Sequence, residues 1–133
     1  MSETTQERPT VLVVDDEEDL RDIMRRMLER RGFATLVAAD ADQALAVCRD
    51  HPGDIDVLVT DLTLPDVPGG DVARDCTQMR PDLGVVFISG LPKDMAVAKG
   101  LIDEEAVLVK KPFTSDLLLG ALKSMLAEKA PTT

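Results

Sequence analysis

The chain has 133 residues, of which 44% are hydrophobic, and it carries a net charge of −10 from 15 basic and 25 acidic side chains. These values predict one globular domain, and the acidic excess disfavours contact with nucleic acid or anionic lipid, because both would repel it. No apolar stretch reaches the roughly 18 to 20 residues of a membrane span, and residues 1–10 lack the apolar core of a signal peptide. We therefore expect a cytoplasmic protein that binds neither nucleic acid nor membrane.

Short apolar runs alternate with helix-like segments along the chain. The predicted strands are residues 10–14, 33–38, 55–60, 85–88 and 107–110. The predicted helices are residues 17–31, 40–50, 70–79, 93–99 and 115–128. Residues 1–8 and 129–133 are predicted to be disordered tails, which leaves a domain of residues 9–128.

The predicted helices have recognisable ends and apolar faces. Gly32 is expected to end the first helix. Asp40 and Gln43 resemble a capping box before the second helix, and Ser115 is the predicted N-cap of the last. Three helices carry apolar side chains at helical spacing, and we expect these side chains to be buried. On the first helix they are Leu20, Ile23, Met24, Met27 and Leu28, and on the third they are Val72, Ala73, Cys76 and Met79. On the last helix they are Leu118, Leu119, Leu122, Met125 and Leu126.

The spacing of the strands predicts their topology. They start near residues 11, 34, 57, 85 and 107, which leaves room for one helix between each pair of parallel strands. Their runs are continuously apolar, so both faces of the sheet should be covered. We predict an α/β fold with a five-stranded, doubly wound parallel sheet of order 2-1-3-4-5 and five helices. Such sheets bind ligands at their carboxyl edge, where the strand order reverses between the first and third strands.

Polar side chains end four of these strands, and in parallel strands they meet at one edge. Asp15 and Asp16 follow the first strand, Asp61 follows the third, Ser89 follows the fourth and Lys111 follows the fifth. Two carboxylates about 4 Å apart repel each other by roughly 4 kcal/mol at an effective dielectric near 20, and Mg²⁺ would relieve that repulsion. Asp61 stands alone on its strand and is the candidate nucleophile for an aspartyl phosphate.

These segments resemble the receiver domains of two-component response regulators, which have a flavodoxin-like fold, over about residues 9–128. The matching segments are Val11-Leu12-Val13-Val14-Asp15-Asp16-Glu17, Asp61-Leu62-Thr63-Leu64-Pro65 with Gly69, Ser89-Gly90, and Lys111-Pro112-Phe113. The last two are similar to those of receivers attached to hybrid kinases.

The resemblance implies that Asp61 accepts a phosphoryl group from the phosphohistidine of a sensor histidine kinase or a histidine phosphotransfer protein. It also implies that Asp16, Asp61 and the main-chain carbonyl of Thr63 bind Mg²⁺, with Asp15 acting largely through water. The protein would then be a signalling phospho-acceptor and not an enzyme, apart from its own phosphorylation and dephosphorylation.

The remaining matched residues are implied to surround the phosphoryl group. Ser89 would donate a hydrogen bond to it, and Lys111 would pair with it. Pro65, Gly69 and Pro112 belong to the loops around it. Phosphorylation would then reshape the face made by the fourth helix, the fifth strand and the fifth helix for a downstream protein.

One departure and two alternatives stay open. Leu108 occupies the position where members of the family often carry an aromatic switch residue, so coupling of Ser89 to such a residue cannot be carried over. A degenerate receiver that binds proteins without phosphorylation is one alternative. The other is a Mg²⁺-dependent phosphohydrolase of the haloacid-dehalogenase type, which would want an acid where Thr63 stands.

The remaining reactive side chains have structural interpretations. Cys48 and Cys76 lie at apolar helix positions and are expected to be buried, reduced thiols. His51, the single histidine, precedes a proline in a loop and is expected to be structural. The last helix would read the same in a monomer and in a weak homodimer, and both states stay open.

Overall fold

The computed structural model describes residues 8–129, which contain five strands and five helices in strict alternation. The strands are β1 (Thr10–Val14), β2 (Ala34–Ala38), β3 (Val57–Asp61), β4 (Gly84–Ser89) and β5 (Val107–Lys110). The helices are α1 (Glu18–Arg30), α2 (Ala41–Asp50), α3 (Gly69–Met79), α4 (Lys93–Ala98) and α5 (Ser115–Lys129). Of the tails predicted at residues 1–8 and 129–133, residues 1–7 and 130–133 lie outside the described residues, whereas Lys129 is the last residue of α5.

The five strands form one parallel sheet in the order β2-β1-β3-β4-β5. β1 lies between β2 and β3, so that Val11 is in register with Thr35 on one side and Val57 on the other. Every residue of β3 is buried, as expected for a strand covered on both faces. The predicted fold class and strand order are confirmed.

Alternating strand residues supply two apolar cores, one on each face of the sheet. Val11 and Val13 of β1 pack in the cluster that α1 and α5 cover. Leu12 and Val14 point to the opposite face, into the cluster that α2 and α3 cover. The sheet interior is therefore mainly apolar; Thr60 of β3 is a buried polar exception, and its hydroxyl donates to the Asp61 carbonyl at 3.0 Å.

Gly32 ends α1 as predicted. Its φ of +92° lies in the left-handed region that glycine adopts without a steric cost. The Gly32 N–H donates to the Glu29 carbonyl at 3.2 Å, and the Phe33 N–H donates to the Leu28 carbonyl at 3.1 Å. This pair of bonds is a Schellman motif, which satisfies the last carbonyls of the helix.

Several details of the helices differ from the prediction. Ile23 is 54% exposed and Met79 is 42% exposed, although both were predicted to be buried. Ile23 lies beside the buried Met24 on the outer flank of α1, and Met79 is the last residue of α3, where the helix leaves the core. The N-cap of α5 is Thr114 and not Ser115, because the Thr114 Oγ1 accepts a bond from the Leu117 N–H at 3.2 Å.

The capping box of α2 is present in modified form. The Asp40 carboxylate accepts a bond from the Gln43 N–H at 2.9 Å, and the Gln43 side chain accepts one from the Ala39 N–H. Cys48 and Cys76 are both free and buried, as predicted. Within residues 8–129, no helix combines the length and the apolar character that crossing a membrane requires.

Candidate functional site at the carboxyl edge of the sheet

The parallel strands bring the predicted site residues to one edge. Asp61 is the last residue of β3 and Ser89 the last of β4, while Asp15 directly follows β1 and Lys111 directly follows β5. The strand order reverses between β1 and β3, so Asp15 and Asp61 flank the point where doubly wound sheets bind their ligands.

Asp61 is held in place by two hydrogen bonds and is only 7% exposed. Its Oδ2 accepts a bond from the Lys111 Nζ at 2.8 Å. Its Oδ1 accepts a bond from the Thr63 N–H at 3.0 Å. The carboxylate is thus fixed in orientation at the end of its strand, with a cation on one oxygen.

Asp15 is completely buried, and only one of its two carboxylate oxygens has a hydrogen-bond partner among the described residues. Its Oδ1 accepts a bond from the Glu17 N–H at 2.8 Å, whereas its Oδ2 has no hydrogen-bond partner among the described residues. Burial raises the pKa of Asp15, and the Glu17 bond and the charge of Lys111 offset that rise only in part. The negative charge of Asp61 adds to the rise, so the carboxylate of Asp15 is destabilised where it stands.

Lys111 is the cation that faces these acids. Burial alone would lower the pKa of its ammonium group, but the bond to Asp61 and the charges of Asp61 and Asp15 outweigh burial and raise the pKa. The Lys111 Nζ lies 3.6 Å from the Asp15 Oδ2, too far for a hydrogen bond. One ammonium group therefore faces both carboxylates and satisfies only one of them.

Ser89 is 3% exposed, and its Oγ accepts a bond from the Leu91 N–H at 2.9 Å. The Ser89 carbonyl accepts a bond from the Lys111 N–H at 2.8 Å, which ties the ends of β4 and β5 together. Because Oγ accepts from Leu91, the hydroxyl hydrogen stays available to donate. The structure places Ser89 at the site edge without a hydrogen bond to Asp61 among the described residues.

The loop after β3 depends on Gly69. A Cβ on Gly69 would lie 2.2 Å from the Asp61 carbonyl oxygen and 2.9 Å from the Leu62 Cα, so no side chain fits there. The Gly69 N–H donates to the Leu62 carbonyl at 2.7 Å and folds α3 back against the end of β3. Pro65 is exposed at the tip of this loop, and Pro112 follows Lys111 through a cis peptide bond.

The donor set fits a hard divalent cation. One carboxylate oxygen from each of Asp15, Asp16 and Asp61 can be chosen so that all three lie within 4.8 Å of one another. Asp16 is exposed, while Asp15 carries the orphaned oxygen, so the acids offer unsatisfied lone pairs on a rim that water can reach. Oxygen ligands of this kind suit Mg²⁺, which keeps several waters when bound to one or two carboxylates.

Two further residues contribute to the site and were not found from the sequence. The Arg21 Nη1 donates to the Asp15 carbonyl at 2.8 Å and braces the β1–α1 loop from the first turns of α1. The Asp66 carboxylate accepts a bond from the Ala41 N–H at 3.1 Å, joining the β3–α3 loop to the start of α2. In the sequence, only its position on the first helix pointed to a role for Arg21 at the site, and nothing pointed to a role for Asp66.

The family model of the response regulator receiver domain matches residues 11–123 of this chain. Among curated proteins, the chain is 32% identical over 121 residues to the sensor kinase CckA of Brucella abortus, covering 90% of this chain and 13% of that protein. It is 31% identical over 117 residues to the C4-dicarboxylate transport transcriptional regulatory protein DctD of Pseudomonas aeruginosa, covering 87% of this chain and 25% of that protein. The chain thus spans a quarter or less of the length of these two relatives.

Solved structures agree with this assignment. A response regulator receiver protein from Sinorhizobium medicae superposes with a TM-score of 0.81 at 28% identity, over 95% of this chain and all of that one. The receiver domain of the hybrid histidine kinase CckA superposes with a TM-score of 0.74 at 27% identity, over 88% of this chain and 98% of that one. With the fold, the acidic edge and the matched residues in agreement, the chain belongs to the receiver domain family of two-component response regulators.

Proposed function

We propose that the protein is a phospho-acceptor that takes a phosphoryl group on Asp61 in a two-component phosphorelay. The observation that supports this most is the setting of Asp61, a buried carboxylate fixed by Lys111 and grouped with two further acids. A carboxylate held rigidly beside a cation is placed to attack a phosphorus atom that arrives from the open rim.

The transfer is a displacement at phosphorus. A carboxylate oxygen of Asp61 attacks the phosphoryl group of a phosphohistidine, the new O–P bond forms, and the N–P bond breaks. The imidazole leaves with the electron pair of that bond and regains a proton from solvent. Lys111, which now donates to the Asp61 Oδ2, would pair with the oxygens of the acquired phosphoryl group.

Asp15, Asp16, Asp61 and the main-chain carbonyl of Thr63 would hold Mg²⁺ at this edge. When bound, the cation offsets the charge of the acids and of the phosphoryl oxygens as they approach. The observation that supports a cation here is the buried Asp15 Oδ2, which has no hydrogen-bond partner in the described part of the chain. Arg21 would keep the β1–α1 loop in the conformation that presents these acids.

The response to phosphorylation would run through Ser89. Its hydroxyl can exchange its present position near the Leu91 N–H for a bond to the phosphoryl group, drawing the loop after β4 towards Asp61. That movement would alter the face made by α4, β5 and α5, on which a downstream protein would dock. Leu108, half-buried and opposite Phe87, stands where an aromatic switch would be, so the change would be carried by the backbone of this loop.

The donor would be a sensor histidine kinase or a histidine phosphotransfer protein. Similarity to the receiver domain of CckA, a hybrid histidine kinase, favours a donor of this kind. We place the protein in the cytoplasm as a monomer or weak homodimer, without contact to nucleic acid or membrane, in keeping with its net charge of −10. It would catalyse only its own phosphorylation and dephosphorylation.

The two alternatives make different demands on the site. A phosphohydrolase of the haloacid-dehalogenase type needs a carboxyl group two residues after its nucleophile, and Thr63 offers none there. A phosphorylation-independent binding module would not need a buried orphaned acid beside a lysine, and that arrangement costs stability.

Intact mass after incubation with acetyl phosphate tests the proposal. We expect one phosphoryl group on the wild-type protein in the presence of Mg²⁺, and none without the metal or in Asp61→Asn. Addition of a phosphoryl group to Asp61→Asn would place the acceptor elsewhere, and the absence of any adduct on wild type would favour the binding module. Steady release of phosphate from many small esters would favour the hydrolase.

A further inference from the structure

A groove of about 640 Å³ lies between α3, the segment that joins α4 to β5 and the C-terminal end of α5, away from the acidic edge. Ala73 of α3 lines one side, Val85 and Phe87 of β4 lie between, and Leu101 and Ile102 of the connecting segment line the other. Phe87 is buried, and the other four are wholly or partly buried in the same apolar cluster. The groove is therefore an apolar depression that leads directly into the core beneath α3.

The groove exists because α4 is short. Its six residues span about 9 Å, whereas the eleven residues of α3 span about 16 Å. Gly100, with a φ of +75°, ends α4 in a Schellman motif, with the Gly100 N–H bonded to the Val97 carbonyl and the Leu101 N–H to the Ala96 carbonyl. The chain then continues to β5 without a helix, and Val85 and Val107 of the sheet beside this segment are only partly buried.

The charges around the groove are unbalanced. The acidic side chains that line it are Asp103, Glu105 and Glu128, and all three are exposed. Arg74 is the one basic residue in this lining among residues 8–129, and it is already paired with Asp71 and Asp75, at 3.4 Å in each case. An apolar floor thus lies under a rim whose net charge is negative.

We propose that this groove docks an amphipathic helix of a partner protein, with the apolar stripe of that helix in the groove and its Lys or Arg side chains against the acidic rim. A helix presents apolar residues at positions i, i+3, i+4 and i+7, which suits a depression open along α3. The acidic rim selects basic flanks. A second copy of this chain is the less suitable occupant, because each copy carries a net charge of −10. The proposal does not depend on phosphorylation of Asp61.

Two labelled probe peptides of about 14 residues, roughly four helical turns, test this docking by fluorescence anisotropy. They share one apolar stripe, and their flanking residues are lysine in the first and glutamate in the second. We expect the lysine peptide to bind wild type at least about tenfold more tightly than the glutamate peptide does, a difference of about 1.4 kcal/mol. Glu105→Lys combined with Glu128→Lys should remove that preference.

Matched control variants distinguish binding in the groove from a general electrostatic attraction between the peptide and the acidic protein. Glu104→Lys combined with Asp54→Lys makes the same change in net charge at exposed acids outside the groove, and should leave the affinity of the lysine peptide within about twofold of wild type. Thr77→Trp fills the groove without a change in charge and should abolish binding, with circular dichroism to show that this variant is folded. Asp61→Asn should bind the peptide as wild type does, which keeps this test separate from that of phosphorylation.

The proposal is overturned if the two peptides bind equally, if the control pair weakens binding as much as the groove pair, or if Thr77→Trp binds normally. Sedimentation showing a wild-type dimer that the Glu105→Lys and Glu128→Lys pair dissociates would also overturn it, since a second copy would then be the occupant.

Discussion

Two polar clusters in this molecule differ in how completely their hydrogen-bonding groups are paired. At the ends of α2 and α3, the Arg80 guanidinium donates to the Cys48, His51 and Gly53 carbonyls at 2.8, 2.7 and 2.8 Å. At the carboxyl edge of the sheet, Lys111 faces Asp15 and Asp61, and the Asp15 Oδ2 has no hydrogen-bond partner within residues 8–129. The hydrogen-bonding groups named in the first cluster are paired with one another, whereas the second cluster contains a carboxylate oxygen that is not paired.

The difference separates stability from function. Arg80 ties down backbone carbonyls of α2 and of the loop after it that would otherwise need other partners, so its net effect is stabilising. The buried Asp15 carboxylate raises the free energy of the folded state, and a chain selected only for stability would have a neutral side chain there. Buried polar groups left unsatisfied are rare in folded proteins, and they mark the place where a ligand is expected.

The largest effect is expected at Gly69, where the site has no spare room. Gly69→Ala would place a Cβ 2.2 Å from the Asp61 carbonyl oxygen, so the backbone must shift. We expect a loss of about 3 kcal/mol or more in the free energy of unfolding, measured by urea denaturation, together with loss of phosphorylation. Gly120→Ala is the control, because nothing lies within 4 Å of its added Cβ; it should stabilise α5 by about 0.5 to 1 kcal/mol. Equal effects of the two changes would contradict the tight approach at Gly69.

Arg80→Ala should give the next largest loss. This change removes three charge-assisted hydrogen bonds, and the three carbonyls would then have to be hydrated by water instead. We therefore expect the free energy of unfolding to fall by about 2 to 4 kcal/mol. Arg80→Lys should recover little of this, because an ammonium group lacks the planar fork that reaches three acceptors at once. The folded fraction should still be phosphorylated normally. A loss of phosphorylation without a loss of stability would reverse the contrast between the two clusters.

Asp15→Asn should have the opposite sign. Without Mg²⁺ at pH 7, removing the buried charge should raise the free energy of unfolding by about 1 to 2 kcal/mol, measured by urea denaturation. Asp22→Asn on the exposed side of α1 is the matched control and should be neutral or slightly destabilising, since Asp22 is paired with Arg25. A destabilised Asp15→Asn variant would mean that the present partners of Asp15 outweigh its burial.

The smallest expected effect is the pH dependence of the stability that Asp15→Asn gains over wild type. The pKa of Asp15 is raised in the folded state above its ordinary value of 3.8, so the folded protein holds this proton more tightly than the unfolded chain does. The cost of the charge is therefore absent below pH 3.8, grows as the pH rises towards the folded-state pKa, and stays constant above it. The difference in stability between Asp15→Asn and wild type should follow that course in urea denaturation from about pH 3 to pH 7. A difference that shrinks as pH rises would contradict the assigned direction.

The sequence was sufficient for the fold because its strands are continuous apolar runs and its connections each hold one helix. It was sufficient for the members of the site because Asp15, Asp61, Ser89 and Lys111 stand where apolar runs stop, and parallel strands carry such residues to one edge. Their assigned roles remain proposals.

The remaining details depend on contacts that have no local pattern. Arg21 and Arg80 reach backbone carbonyls, and Asp66 accepts from a backbone N–H 25 residues away in the chain. Ile23 follows the helical spacing of the apolar face of α1, yet it lies just outside the strip that the sheet covers. Such outcomes are decided by how far a helix is rotated against the sheet, which periodicity alone does not specify.

The dependence of stability on Mg²⁺ tests the central claim most directly, because the unsatisfied carboxylate of Asp15 is proposed to bind that cation. Free energies of unfolding would be measured for wild type, Asp15→Asn and Arg80→Ala at pH 7 over a range of Mg²⁺ concentrations. Wild type and Arg80→Ala should both gain about 2.7 kcal/mol when Mg²⁺ reaches a hundred times its dissociation constant, whereas Asp15→Asn should gain much less and lose its advantage over wild type. An equal gain in all three proteins, or no gain in any, would contradict the claim.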